Sequence, residues 1–161
     1  MIFITLGSQK FQFNRLLKAL DEQVKDGKIK EHIIAQIGAS DYKPVHFKYK
    51  DFLSREEFES TISKAEIVIT HGGTGAIMGA IKKGKKVIAV PRLKKYSEHV
   101  DDHQLQLIKQ FKSLNLICEC DNCNNLWKAI EEVKIHEYEI YVSNTARIIE
   151  SIDEFINNES V

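Results

Sequence analysis

The chain has 161 residues, of which 43% are hydrophobic, enough to bury the core of one domain over 1–161 and nothing that requires a second. Its 23 basic and 23 acidic side chains cancel, which excludes a net positive field drawing it to nucleic acid or anionic lipid. No window approaches the roughly 18 consecutive apolar residues of a spanning helix, and the apolar start is too short for a secretory leader.

In chain order, Ile2 to Leu6 reads as a first strand that ends on Gly7 and Ser8. Phe13, Leu16, Leu17, Leu20 and Val24 recur at helical spacing, with Gln12 or Asn14 available as a cap. A second strand is predicted over Ile33 to Ile37, followed by Gly38, and Val45 to Tyr49 alternates as a weaker strand. Phe58, Ile62 and Ala65 mark a helix, with Ser54 and Glu57 spaced as a capping box. Ile67 to Thr70 predicts another strand, and Ala76 to Lys83 a helix closed by Gly84. Val87 to Val90, Gln104 to Phe111, Leu116 to Cys118 and Leu126 to Val133 continue the strand and helix alternation. A last helix is expected over Ala146 to Ile156, with a frayed tail from Asn157. Continuous β-branched runs between amphipathic stretches predict an α/β fold, a single Rossmann-like doubly wound parallel sheet. Ligands of such sheets lie beyond the carboxyl ends of the strands, the rim of the loops at Gly7, Gly38 and His71.

The run His71-Gly72-Gly73-Thr74-Gly75 is the strongest local signal. Glycines at a strand-to-helix turn let backbone N–H groups approach an anion, and the helix N-terminus adds a favourable dipole. His71 and Thr74 add side-chain donors, although a histidine can also simply fix the turn. A dinucleotide fingerprint is disfavoured because Gly7-Ser8-Gln9-Lys10 lacks the later glycines, and no P-loop follows Gly84-Lys85-Lys86. The lysines at 82, 83, 85 and 86 and the group Arg92, Lys94 and Lys95 read first as solvated surface. Cys118, Cys120 and Cys123 form an odd cluster that argues for a reducing compartment. His136 would be the nearest fourth zinc ligand, yet a buried thiol on a strand followed by a turn explains the pattern better. His99 and His103 have metal-like spacing without the glutamate of a zinc protease. Asp102 can act as a helix N-cap, or with His103 and Gln104 it can meet a polyhydroxylated ligand.

Three segments taken in order carry a more specific signal: 71–75, Gly84 to Arg92, and His99 to Gln104. With Phe3 to Ser8 and Gln36 to Gly38, they resemble the C-terminal, donor-binding domain of family 28 glycosyltransferases across nearly the whole chain. Within that family the chain is most similar to small bacterial subunits of capsular and exopolysaccharide synthesis. These are related to the catalytic subunit of the eukaryotic dolichol-linked N-acetylglucosaminyltransferase.

The resemblance implies the C-terminal half of a GT-B fold that binds a UDP-sugar without a metal or other cofactor. Carried over, Gly7, Ser8, His71, Gly73, Thr74 and Gly75 would hold the diphosphate. Asp102, His103 and Gln104 would face the sugar hydroxyls, with Arg92 and Gly38 as support. Gly79 stands where many relatives have a ribose-binding glutamate, so ribose recognition is unassigned. The resemblance further implies an inverting hexosyltransferase, with galactose or N-acetylglucosamine as the sugar, acting on a lipid-linked acceptor. A cytoplasmic chain would be recruited to the inner membrane face by a partner subunit that supplies acceptor site and catalytic base. Two other readings stay open: an accessory subunit that activates a sister transferase, and a sugar-nucleotide epimerase.

Overall fold

A computed structural model describes residues 1–143, so the expected helix over Ala146 to Ile156 and the tail from Asn157 lie outside the described residues. The strands are β1 (Ile2–Thr5), β2 (Ile33–Gln36), β3 (Lys48–Lys50), β4 (Ile67–His71), β5 (Lys86–Val90) and β6 (Cys118–Glu119). The helices are α1 (Asn14–Lys25), α2 (Arg55–Lys64), α3 (Thr74–Ile81), α4 (His103–Ser113) and α5 (Leu126–Ile135). All neighbouring strands pair in parallel, in the order β3-β2-β1-β4-β5-β6. The order reverses between β1 and β4, so the crevice beyond their carboxyl ends is the switch point where such sheets take ligands.

The central strands are apolar on both faces because both faces are covered. Ile2 and Ile4 of β1, Ile67 and Ile69 of β4, and Ile88 and Val90 of β5 pack with Leu16, Leu17 and Leu20 of α1 and Leu126 and Ile130 of α5. The alternate residues Phe3, Val68, Val87 and Ala89 pack with Ile62 of α2, Ile77 and Ala80 of α3, and Ile108 of α4. Period-two alternation thus divides one hydrophobic run between two cores.

Several boundaries differ from the sequence reading for identifiable reasons. The strand expected from Val45 begins at Lys48, because the N–H groups of Val45 and His46 donate to the buried carboxylate of Asp21 instead of a ladder. The strand expected from Leu116 begins at Cys118, because the N–H of Leu116 still donates to Phe111 at the end of α4. At the start of α1, Gln12 Oε1 accepts the N–H of Asn14, whereas Asn14 Oδ1 turns away to accept from Asp41 and Tyr42. Ser54 and Glu57 form the full capping box of α2. Helix α3 starts at Thr74, two residues earlier than the apolar pattern indicates, and Gly84 at φ +67° closes the turn after it.

One ion pair fixes the carboxyl rim to the helix layer. Arg15 of α1 donates from Nε and Nη2 to the carboxylate of Glu98, each at 2.9 Å, and from Nη2 to the Pro91 carbonyl at 2.9 Å. Glu98 is fully buried and also accepts the Leu93 N–H at 3.0 Å, so the loop after β5 folds around its carboxylate. Burial lowers the Arg15 pKa, but the hydrogen bond and charge of Glu98 outweigh it and the net shift is upward. Removing one member strands the other, which is far worse than removing both. Arg15→Met is expected to cost about 3 kcal/mol, and the double variant Arg15→Met, Glu98→Gln less, as read from urea denaturation midpoints.

Candidate functional site

The loop after β4 meets the loops after β1 and β5 at the switch point. His71 is the last residue of β4 and is 9% exposed, its ring lying between two glycines. A Cβ at Gly7 would come within 2.8 Å of His71 Cε1, and one at Gly73 would come closer still to Nε2. Gly7 also holds φ +76°, a left-handed conformation that side chains disfavour. At Gly72 a Cβ would lie 2.6 Å from Gln104 Cβ. These three glycines are therefore dictated by close packing, whereas Gly75 and Gly79 face open space.

Gln104, on the first turn of α4, is buried, and its Oε1 accepts from Gly72 N at 3.0 Å and Arg92 N at 3.1 Å. One oxygen thus bridges the loops after β4 and β5. Arg92 is 1% exposed and reaches the remaining loop, donating from Nη2 to Leu6 O at 2.8 Å and Phe11 O at 3.1 Å. Among the described residues its Nε and Nη1 are buried without a hydrogen-bond partner. Burial, opposed by the charge of Glu98, brings its pKa down to about 10, so it remains a cation at neutral pH.

That cation shapes His71. Burial first, and then the charge of Arg92, push the imidazole pKa down from 6.5 to about 4, with the Thr5 carbonyl acting in the opposite direction. The ring is neutral at pH 7 and presents one N–H and one lone pair. Helix α3 begins beside it with Gly73 as an N-cap that contributes no side-chain hydrogen bond, and no acidic residue occupies its first turn. The first N–H groups of a helix have no intrahelical acceptor, and together with the dipole they favour an anion. Thr74 and Gly75, both exposed, are the first two residues of α3.

The other expected residues divide. Gly38, at φ +59°, packs against Gly7 O, so its position is set by the neighbouring loop. Ser8 is exposed on the β1 loop. Asp102 occupies the N-cap position of α4 but makes no cap; its Oδ1 accepts from Lys94 N at 2.8 Å. Asp101 takes the capping role, its Oδ1 accepting from His103 N at 3.0 Å. Asp102 and His103 are exposed, and Gln104 is buried in the loop junction. Sequence reasoning missed the Arg15–Glu98 pair and the burial of Arg92, since nothing in a basic cluster distinguishes a buried arginine from solvated lysines.

Cys118, Cys120 and Cys123 are buried free thiols, their pKa values raised by burial to about 11, 12 and 11. Cys123 Sγ accepts from Arg15 Nη1, and His136 pairs with Asn115, so His136 does not complete a ligand set with them. Among the described residues no group of three His, Cys, Asp or Glu is placed to hold a metal ion. A cleft of about 710 Å³ lies apart from the glycine loop, between α1, the β5 loop and the β6 loop. It mixes Arg15, Lys18 and Lys95 with Glu22, Glu98 and Asp121, which gives no preference for an anion.

The glycosyltransferase family 28 C-terminal domain matches residues 1–158. The chain belongs to this family. The domain is 28% identical over 118 residues to the UDP-N-acetylglucosamine transferase subunit ALG13 of Homo sapiens, an alignment covering 68% of this chain and 10% of that protein. Against the same subunit of Yarrowia lipolytica it is 32% identical over 76 residues, 47% of this chain and 34% of the other. The chain therefore spans about a tenth to a third of the length of these relatives. Among solved structures, the kitacinnamycin glycotransferase superposes with a TM-score of 0.62 at 18% identity, covering 84% of this chain and 35% of that one. MurG of Acinetobacter baumannii gives 0.57 at 17% identity, covering 83% and 41%. The fold of this family 28 domain is that of one half of a GT-B glycosyltransferase.

The buried imidazole gives the domain a pH signature. Between pH 6.5 and 4 the unfolded chain binds a proton at His71 that the folded chain refuses, so stability falls as pH falls through that window. Wild type is expected to lose about 3 kcal/mol more than His71→Gln over that range, measured by denaturation at a series of pH values.

Proposed function

We propose that the chain is the donor-binding half of a UDP-sugar-dependent inverting glycosyltransferase. The observation that carries this reading is the uncapped start of α3 at the switch point, beside a neutral His71 and a buried Arg92. The N–H groups of Gly73, Thr74 and Gly75 receive the diphosphate, with His71 alongside and Gly7 and Ser8 closing from the β1 loop. The helix dipole and Arg92 balance the diphosphate charge, so the reading assigns no metal or cofactor. Because Gln104 Oε1 is occupied by two backbone donors, its amide NH2 is the part that faces a sugar hydroxyl. Asp102 and His103 stand exposed at the same helix start and add an acceptor and a donor. Gly79 offers no side chain to the ribose.

The sugar is a hexose, N-acetylglucosamine or galactose; the name of the ALG13 relatives favours the former. The same name, a transferase subunit, supports a partner subunit; we propose that this partner is membrane-associated and binds the lipid-linked acceptor in capsular or exopolysaccharide repeat-unit synthesis. No helix among the described residues is long and apolar enough to cross a membrane; recruitment to the inner face of the membrane is proposed as a role of the partner. Inversion gives a β-linked product from an α-linked donor, which NMR of the product checks.

The diphosphate assignment has a test with opposite signs. A carboxylate at the first position of α3 complements the helix dipole but repels a diphosphate. Thr74→Asp is expected to keep or slightly raise the melting temperature while UDP-sugar binding weakens at least about tenfold, read by thermal-shift titration. Undiminished binding by this variant would place the diphosphate elsewhere.

A further inference from the structure

The cleft beside α1 backs onto the same loop as the donor crevice. Arg92 is buried in the loop junction with Gln104, whereas Leu93, Lys95, Tyr96 and Glu98 of that loop line the cleft. Its walls are tied to one another. The Arg15–Glu98 pair joins α1 to the β5 loop, and Gln12 Nε2 donates to the Tyr96 carbonyl at 3.0 Å. Gln23 of α1 donates from Nε2 to the Cys123 carbonyl at 2.8 Å and accepts the Trp127 N–H on Oε1 at 2.9 Å, which fixes the loop after β6. A ligand entering such a cleft has no loops to order, and its volume of about 710 Å³ suits a small molecule.

Side chains without partners meet inside it. Lys18 and Glu22 of α1, Lys95 of the β5 loop and Asn124 of the β6 loop all line the cleft and are exposed. Among the described residues their side chains make no hydrogen bond or ion pair. They offer two ammonium donors, a carboxylate acceptor and an amide that both donates and accepts. Apolar surface lies between them, from Ala19, Leu93 and the half-exposed Tyr96 ring. Arg15 Cζ and Lys95 Nζ each lie 4.9 Å from the centroid of that ring and orient it.

This lining selects by chemistry. A phosphate would require a surplus of cations, but the acids Glu22, Glu98 and Asp121 match the bases Arg15, Lys18 and Lys95. An apolar ligand would require a continuous apolar wall. A neutral sugar needs neither, because each hydroxyl both donates and accepts while the C–H faces of the ring pack on apolar patches. We propose that the cleft is a second carbohydrate site, holding sugar units of the glycan on which the transferase acts, across the β5 loop from the donor. It uses no residue assigned to the diphosphate and goes beyond the donor-site reading.

The experiment is a two-dimensional NMR titration of the labelled chain with di-N-acetylchitobiose and lactose, with glycerol as a generic polyol, and separately with UDP. At least one disaccharide is expected to bind with a Kd of about 1 mM, shifting the amides of Lys95, Tyr96 and Asn124 and leaving Gly73 and Thr74 unmoved. Glu22→Ala, Asn124→Ala and Tyr96→Ala should each weaken that binding about tenfold. All three residues are exposed, so the melting temperature and the UDP titration should not change. No binding of either disaccharide by wild type, equal shifts with glycerol, shifts centred on Gly73 and Thr74, or wild-type binding by all three variants overturns the inference. UDP binding without disaccharide binding overturns it alone and leaves the donor site standing. Disaccharide binding at the cleft without UDP binding supports it and overturns the donor-site reading.

Discussion

The side-chain oxygen of Gln104 joins two loops that the sheet alone would leave independent. By accepting from Gly72 and Arg92 it sets the turn after β4 against the turn after β5, and Arg92 then reaches the loop after β1. The contact requires Gly72, because any Cβ there would overlap Gln104. The position of the His71 ring, the entry of α3 and the burial of Arg92 all follow from this junction. A site made of three loops can be as rigid as a strand only when such hydrogen bonds tie the loops to one another.

The same junction sets the electrostatics. Burial first, and then the charge of the buried Arg92, keep the His71 ring neutral at a position that would otherwise titrate near pH 6.5. A neutral ring beside an uncapped helix start and a buried cation forms a surface that is positive through fixed dipoles and one charge. The acidic counterpart, Glu98, is turned away to pair with Arg15 and bind the loop backbone.

Much of this was legible in the sequence because it rested on periodicity and glycine placement. The runs at Ile2, Ile67 and Val87 and the turn at His71 declared a parallel sheet with a glycine-rich turn after an interior strand. What was not legible depended on long-range partners. Asp102 looked like the cap of α4, but a hydrogen bond to Lys94 claims it and Asp101 caps instead. Val45 looked like strand, but Asp21, 24 residues earlier, claims its N–H. Gln104 looked like a sugar ligand, and half of its amide proved to be loop architecture. Arg92, read first with its neighbouring lysines as surface and then as possible support for the donor, proved to be a fully buried side chain.

The central claim is that the start of α3 receives the diphosphate of a nucleotide. The most direct measurement is a two-dimensional NMR titration of the labelled chain with UDP, following backbone amides and histidine ring signals. The account predicts the largest changes at the amides of Gly73, Thr74 and Gly75 and at the His71 ring, with smaller ones at Gly7 and Gln104. Changes centred instead on Arg15, Lys18 and Tyr96, which line the separate cleft beside α1, would contradict it.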